Sequence, residues 1–189
     1  MEAFLVSTGV VALGEMGDKT QLLALLLAAR FNRPVPIIVG ILTATLANHA
    51  LAGAVGAWLA AQLGPPILRW VIGLGFIAMA AWALIPDRDD GDLQARTRFG
   101  VYGTTVVAFF LAEMGDKTQI ATAALAARFD SLVAVVAGTT LGMLLADAPA
   151  VFAGDAVARR VPLRVMRGMA AIVFAVLGVL TLLNVGELL

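Results

Sequence analysis

The sequence EMGDKTQ, residues 15–21, places two acids and a lysine inside a long apolar stretch. The same seven letters return as residues 113–119, again among apolar residues. Charged groups are costly in such surroundings unless they are paired or bind an ion. The duplication therefore indicates that these charges have a function. We call residues 15–21 the first motif and residues 113–119 the second motif.

The composition around the motifs is that of a membrane protein. Of the 189 residues, 61% are hydrophobic and 14% are charged, whereas about a quarter of the residues in a soluble domain are charged. The mean hydropathy is +0.95. Apolar stretches of about 20 residues can cross a bilayer as helices, and this chain has six. We therefore predict an all-α, polytopic membrane protein with six transmembrane helices, at about residues 4–29, 35–61, 67–85, 101–127, 132–157 and 165–185.

The chain is an internal repeat. Residues 13–31 and 111–129 match at 13 of 19 positions without gaps, at a separation of 98 residues. Residues 1–86 and 101–189 each contain three predicted spans, and residues 87–100 form a polar linker. Because three is odd, the second half enters the membrane from the opposite side. This predicts two inverted three-helix repeats, an arrangement common in transporters.

The arginines predict the orientation. Segments on one side of the predicted spans carry nine arginines, and those on the other side carry only Arg69 and Arg128. Cytoplasmic segments are enriched in Lys and Arg, so the linker is predicted to be cytoplasmic and both termini outside. The N-terminus lacks the basic region of a signal peptide, so the first span is read as retained. We expect a multi-pass protein of the plasma (inner) membrane.

Several kinds of chemistry are excluded. The chain has no cysteine, which rules out disulfides, thiolate metal ligands and cysteine nucleophiles. Its formal net charge is +0, and no basic stripe indicates nucleic-acid binding. The expected partners are the lipid bilayer, a divalent metal ion and protons, without a resident cofactor. A homo-oligomer is compatible with the sequence.

The motifs are predicted to meet at the membrane midplane. On a continuous helix, residues three or four apart share one face, so the acids and the lysine of each motif should project together. Both motifs lie near the centres of their spans, and inverted symmetry would bring them face to face. The internal glycines, Gly17 and Gly115, permit local unwinding. The residues expected to meet are Glu15, Asp18 and Lys19 with Glu113, Asp116 and Lys117.

The charges at this depth favour exchange of a divalent cation for protons. The second span of each half adds His49 and its equivalent Asp147, each of which is either a packing residue or part of a proton relay. Counting Asp147, five carboxylates face two lysines, a balance of −3. A divalent cation reduces the balance to −1, and one proton makes it neutral. The oxygen donors suit Ca²⁺, Mg²⁺ or Mn²⁺; besides the carboxylates they are Thr20, Gln21, Thr118 and Gln119.

Two E-x-G-D-K-[ST] motifs, each in the first span of a three-span half, resemble the Gdt-type family of small cation transporters. The resemblance covers essentially the whole chain. It implies transport of Mn²⁺, or alternatively Ca²⁺, against protons, and bacterial members resemble manganese exporters. It also implies that the core cation ligands are Glu15, Asp18, Glu113 and Asp116. Supporting positions would be Lys19, Thr20 and Gln21 with Lys117, Thr118 and Gln119.

Three other functions remain open on the sequence. An intramembrane hydrolase could use paired carboxylates, but its aspartate dyad shares a proton, whereas the duplicated lysines would keep these acids ionised. An exporter of a small organic solute would need an apolar pocket and fewer matched acids. A scaffold without transport activity would have no reason to bury these charges. We therefore expect a transporter and not an enzyme.

The arginine distribution predicts how introduced cysteines react in intact cells. With the linker in the cytoplasm, a cysteine replacing Asp90 should be protected from a membrane-impermeant thiol reagent. A cysteine replacing Glu187 should react, because the C-terminus is predicted to lie outside. The cysteine-free native chain supplies the background for both variants. The opposite labelling pattern would overturn this orientation and, with it, the assignment of export.

Overall fold

The computed structural model describes residues 1–85, 99–153 and 163–184, and the elements in these ranges are helices. The predicted linker, residues 87–100, lies outside them except for its last two residues, as do the ends of the predicted fifth and sixth spans. The all-α prediction is confirmed. The helices are α1 (Glu2–Glu15), α2 (Lys19–Phe31), α3 (Pro34–Gln62), α4 (Pro65–Ala83), α5 (Gly100–Glu113), α6 (Lys117–Arg128), α7 (Leu132–Ala153) and α8 (Leu163–Leu182).

Three of the described helices are long and apolar enough to cross a membrane by themselves. They are α3 with 29 residues, and the segments Pro66–Ala83 of α4 and Leu132–Phe152 of α7. Helices α3 and α4 each begin with proline, which fits the first helical turn because no backbone N–H is needed there. Helix α7 continues through Pro149. The apolar part of α8, Gly168–Leu182, is shorter.

The two motifs interrupt the first and fourth predicted spans, and this corrects the prediction of continuous helices. Helix α1 ends at Glu15 and α2 begins at Lys19, with the equivalent break between α5 and α6. Gly17 and Gly115 have φ angles of 82° and 80°, a left-handed conformation that glycine adopts readily and that ends a right-handed helix. The prediction that the charged residues of one motif share a single helical face is therefore wrong.

Equivalent glycines bring the two halves into close contact. A Cβ added to Gly138 on α7 would lie 2.5 Å from the carbonyl oxygen of Phe4 on α1. A Cβ added to Gly40 on α3 would lie 2.7 Å from Cβ of Thr105 and 3.2 Å from the carbonyl oxygen of Tyr102, both on α5. Gly138, like Tyr102, lies 98 positions after its counterpart. The same close helix crossing therefore occurs once with each half's broken span.

Helices α4 and α8 meet through another pair of equivalent residues. The rings of Phe76 and Phe174 stack with their centroids 6.3 Å apart and their planes at 22°. Both side chains are buried, and the two positions are 98 residues apart. Phe174 also reaches the backbone beside the first motif, because its ring lies 3.3 Å from a Cβ added to Gly14. The apolar core therefore adjoins the charged motifs directly.

The close contact at Gly138 predicts a selective loss of stability. Gly138→Ala places a methyl group against the backbone of α1, so we expect a destabilisation of about 1–3 kcal/mol from overpacking. Gly75→Ala is the matched control, since no atom lies within 4 Å of a Cβ added there. Thermal unfolding of the purified protein in detergent measures both. Equal melting temperatures for the two variants would contradict the close approach of α1 and α7.

Candidate metal centre

Each motif forms a short loop that a glutamine side chain holds in place. The backbone N–H of Gly17 donates to Oε1 of Gln21 at 3.2 Å, and that of Gly115 donates to Oε1 of Gln119 at 2.8 Å. Both N–H groups lie in the breaks between two helices, so they have no acceptor within a helix. The glutamine oxygens, expected from the sequence to be available as cation ligands, therefore bind the loops in this structure.

The loops bring three carboxylates of the two motifs together. Ligand oxygens of Glu15, Glu113 and Asp116 all lie within 4.8 Å of one another, and the three side chains are buried. Each carboxylate has one buried oxygen without a hydrogen-bond partner: Oε2 of Glu15, Oε1 of Glu113 and Oδ2 of Asp116. We call these residues the carboxylate triad. Buried anionic oxygens without donors are costly, and a hard divalent cation coordinated by oxygen would satisfy them.

Threonines fix the two glutamates of the triad. The hydroxyl of Thr20 donates to Oε1 of Glu15, and the hydroxyl of Thr118 donates to Oε2 of Glu113 at 2.9 Å. Both threonines are buried. Each hydrogen bond occupies one carboxylate oxygen, and the other oxygen of each glutamate has no hydrogen-bond partner. The supporting position predicted for these threonines therefore corresponds to a direct contact with the glutamates.

The lysines pair across the motifs. Nζ of Lys19 lies 3.2 Å from Oδ1 of Asp116, and Nζ of Lys117 lies 3.2 Å from Oδ2 of Asp18. The two pairs differ in burial, since 33% of the Lys19 side chain is exposed and only 5% of the Lys117 side chain. Asp18 also begins α2, where its Oδ1 accepts from the backbone N–H of Lys19 at 2.8 Å. The predicted meeting of the motifs thus takes the form of two crossed ion pairs.

Asp147 and His49 are both buried but have different surroundings. Asp147 lies within electrostatic range of Glu15, Glu113 and Asp18, and neither of its carboxylate oxygens has a hydrogen-bond partner. The ring nitrogens of His49 also have no hydrogen-bond partner. Among the described residues, no hydrogen bond or ion pair joins these two side chains. The structure therefore brings Asp147, but not His49, into the electrostatic environment of the motifs.

Two contacts that the sequence did not predict tie the breaks to neighbouring helices. Nδ2 of Asn48 on α3 donates to the carbonyl oxygen of Phe110 at 3.1 Å, one of the last carbonyls of α5 and therefore without an intrahelical donor. Nε2 of Gln21 donates to the carbonyl oxygen of Ala146 on α7 at 2.9 Å. The only signal in the sequence was a polar residue, Asn48, next to His49 in an apolar helix.

A small cavity lies beside the first break. It has a volume of about 10 Å³, and both Asp18 and Lys117 contribute to its wall. Met16 lies on the same wall, with 37% of the residue exposed. The remaining lining residues are Gly14, Gly17, Ala83 and Ala170. The C-terminal end of α4, at Ala83, and the part of α8 that carries Ala170 therefore border a space at the motif.

Comparisons with known proteins show the family to which the chain is related. A family model described as divalent cation/proton antiporter GDT1 matches residues 3–91 and 101–187, the two halves of the repeat. A Vibrio cholerae protein named "Putative manganese exporter" is 50% identical over 182 residues, covering 96% of this chain and 90% of that protein. GDT1-like protein sll0615 of Synechocystis is 29% identical over 180 residues, with 85% and 87% covered. GDT1-like protein 3 of Oryza sativa subsp. indica is 24% identical over 200 residues, with 92% and 71% covered. No solved structure matches the chain.

The unequal burial of the crossed pairs predicts unequal effects of two equivalent substitutions. Asp18→Asn removes a carboxylate from the enclosed Lys117, which should lower the free energy of unfolding by about 3 kcal/mol. Asp116→Asn should lower it much less, because Lys19 is partly exposed and the triad loses one of three neighbouring negative charges. Thermal unfolding in detergent, without added metal, measures the difference. Equal losses of stability would contradict the asymmetry.

Proposed function

Because the chain belongs to the GDT1 family of divalent cation/proton antiporters, we propose that it exports Mn²⁺ in exchange for protons. The observation that carries the proposal is the triad of Glu15, Glu113 and Asp116: their ligand oxygens lie within 4.8 Å of one another, and each side chain has a buried oxygen without a hydrogen-bond partner. The family consists of transporters, so an intramembrane hydrolase is not its function. A scaffold is excluded in the same way.

The donor atoms support Mn²⁺ as the transported ion. The triad offers carboxylate oxygens, and the chain has no cysteine. Such sites favour hard divalent cations over copper or zinc. The half-identical Vibrio cholerae protein, which matches nearly the whole chain, carries the name of a manganese exporter. Ca²⁺ has the same preference for oxygen ligands and is the competitor to compare in transport assays.

The proposed site contains more than the triad. We assign Glu15, Glu113 and Asp116 to the cation in this structure, and we assign Asp18, the fourth carboxylate of the motifs, to the same transport site. The two threonines orient the glutamates, and the two lysines neutralise the aspartates. The two glutamines hold the broken backbone. These supporting residues are Thr20, Thr118, Lys19, Lys117, Gln21 and Gln119.

The proposed architecture is six spans arranged as two inverted three-helix repeats. The 14 and 13 residues of α1 and α2 together rise about 40 Å, enough for one broken span, and α5 and α6 are similar. With α3, α4, α7 and α8 this makes six. Contacts between equivalent residues support a two-fold relation: Phe76 stacks on Phe174, and Glu15 lies beside Glu113. Broken helices at a repeat interface are a common form of transporter site.

The arginine distribution supplies the proposed orientation. Both termini lie outside, and the linker lies in the cytoplasm of a cell whose plasma (inner) membrane holds the protein. A site at the centre of the membrane would then be reached from the cytoplasm in one state and from outside in the other. Export requires Mn²⁺ to enter the triad from the cytoplasmic side.

Charge balance supports coupling to protons. The five buried carboxylates and two lysines sum to −3, and a bound divalent cation leaves −1. A residual charge is costly in the low-dielectric interior, so one carboxylate carries a proton in the loaded state. When the cation leaves, two further protons take the place of its two charges, and these are the protons exchanged for Mn²⁺. We assign that proton to Asp147, which lies near the motif carboxylates and outside the triad. His49 has no contact with the motifs that would make it a relay, so it is the less favoured proton carrier.

The coupling predicts opposite movements of Mn²⁺ and protons. In proteoliposomes that contain the protein, Mn²⁺ added outside should drive protons out of the lumen. An acidic lumen should accelerate Mn²⁺ entry, because protons leaving down their gradient supply the driving force. Mn²⁺ uptake and the change in lumenal pH, both recorded at clamped voltage, test these two expectations. Glu15→Gln should abolish the two fluxes together.

A Mn²⁺ flux that is independent of the pH gradient, with no accompanying proton movement, would contradict antiport and favour a uniporter or channel. Parallel measurements with Ca²⁺, Mg²⁺ and Zn²⁺ decide the transported ion. We expect Mn²⁺ to be carried fastest. Faster transport of Ca²⁺ would replace Mn²⁺ in the proposal while leaving the site and the coupling unchanged.

A further inference from the structure

The two motifs contribute unequally to the triad, although the repeat makes them equivalent. The second motif supplies Glu113 and Asp116, whereas the first supplies Glu15 alone. Asp18, the equivalent of Asp116, is not part of the triad, and its Oδ2 lies 3.2 Å from Nζ of Lys117. Two equivalent aspartates therefore have two different environments in one structure.

The two lysines determine how readily each aspartate can leave its ion pair and bind a cation. Lys117 is enclosed, with 5% of its side chain exposed, so separating it from Asp18 would leave charges buried at high cost. Lys19 has 33% of its side chain exposed and can leave Asp116 more cheaply, since the ammonium group can reach water on its flexible stem. An arriving divalent cation also repels Lys19 from Asp116. Asp116 is therefore ready to bind the cation, and Asp18 is not.

We propose that Asp116 and Asp18 are alternating third ligands of one site, with Glu15 and Glu113 common to both states. In the state seen here Asp116 completes the triad, while Asp18 is paired with Lys117 and is not part of it. In the opposite state the halves exchange roles. Asp18 then completes the triad, and Lys19 and Asp116 form the enclosed ion pair. This inference rests on the proposed transport function and identifies the ligand exchange that accompanies reorientation of the site.

The internal repeat makes the second state chemically reasonable. Every contact involved already exists in two equivalent copies: each lysine pairs with the opposite aspartate, and each threonine hydroxyl donates to the glutamate of its own motif. Exchanging the halves replaces each contact by its counterpart and creates no new kind of interaction. Inverted repeats provide two states of opposite access in this way. The two glutamates can serve both states because they lie next to each other.

The test compares equilibrium Mn²⁺ binding with Mn²⁺ flux in the full-length protein. Titration calorimetry in detergent gives Kd, and proteoliposomes give the flux. Both are measured for the wild type, Asp18→Asn, Asp116→Asn, the double variant Asp18→Asn/Asp116→Asn, and Glu15→Gln. Asp130→Asn, at an exposed carboxylate outside the motifs, is the matched control. Asp18→Asn removes the carboxylate that pairs with the buried Lys117. The double variant Asp18→Asn/Lys117→Gln, which removes both charges, is therefore measured as well.

Alternation predicts a separation of binding from flux. Each aspartate variant keeps one binding-competent state, so its Kd should rise only about twofold if the two states are equally populated. Its flux should fall below about a tenth of the wild-type flux, since one state no longer holds the cation with three carboxylates. Glu15→Gln and the double variant Asp18→Asn/Asp116→Asn lose a ligand in both states, so Kd should rise at least about tenfold.

Two results would overturn the alternation. If Asp116→Asn alone loses binding while Asp18→Asn, with or without Lys117→Gln, binds and carries Mn²⁺ like the wild type, Asp116 is a fixed ligand. If both single aspartate variants lose binding at least about tenfold, all four carboxylates bind the cation at once. In either case a wild-type protein that carries Mn²⁺ keeps the proposed function. A wild type that neither binds nor carries Mn²⁺ would instead remove the proposed function itself.

Discussion

The structure depends on the mutual neutralisation of charges buried at the two motifs. The four carboxylates of the motifs and Lys117 are buried, and Lys19 is partly buried, inside a bundle of apolar helices. The ion pairs join the two motifs, because each lysine reaches the aspartate of the opposite motif. Burial of one half's motif therefore requires the other half. This constraint explains why the chain needs two copies and why the copies must meet in the interior.

The meeting of the motifs in turn requires the helices around them to approach closely. Gly138 against α1 and Gly40 against α5 leave no room for a side chain at the crossing. In a membrane the hydrophobic effect gives little drive for helices to associate, and small residues at the interface allow the backbone contact that replaces it. The equivalent glycines of the two halves therefore allow the helices that carry the two motifs to pack closely around one site.

The broken backbone gives the site its chemistry. In a continuous helix, neighbouring acids would be fixed on one face and would repel each other. With Gly17 and Gly115 in a left-handed conformation, Asp116 points to the glutamates while its own main chain begins a new helix. The glutamines that accept from the glycine N–H groups stabilise the loops. The carboxylate oxygens are then left to face one another, an arrangement that is stable only with a cation or a proton present.

The sequence by itself determined the helical class, the repeat and the identity of the charged residues, because hydropathy and the duplicated motif are local properties of the chain. It also indicated which family the chain resembles. It could not determine that the helices break between Glu15 and Lys19, since glycine tolerates both helix and left-handed turn and tertiary contacts select between them. Nor could it show that Asp116 joins the two glutamates while Asp18 does not. Identical motifs have identical local preferences, so only the different enclosure of Lys19 and Lys117 in the folded protein distinguishes the two aspartates.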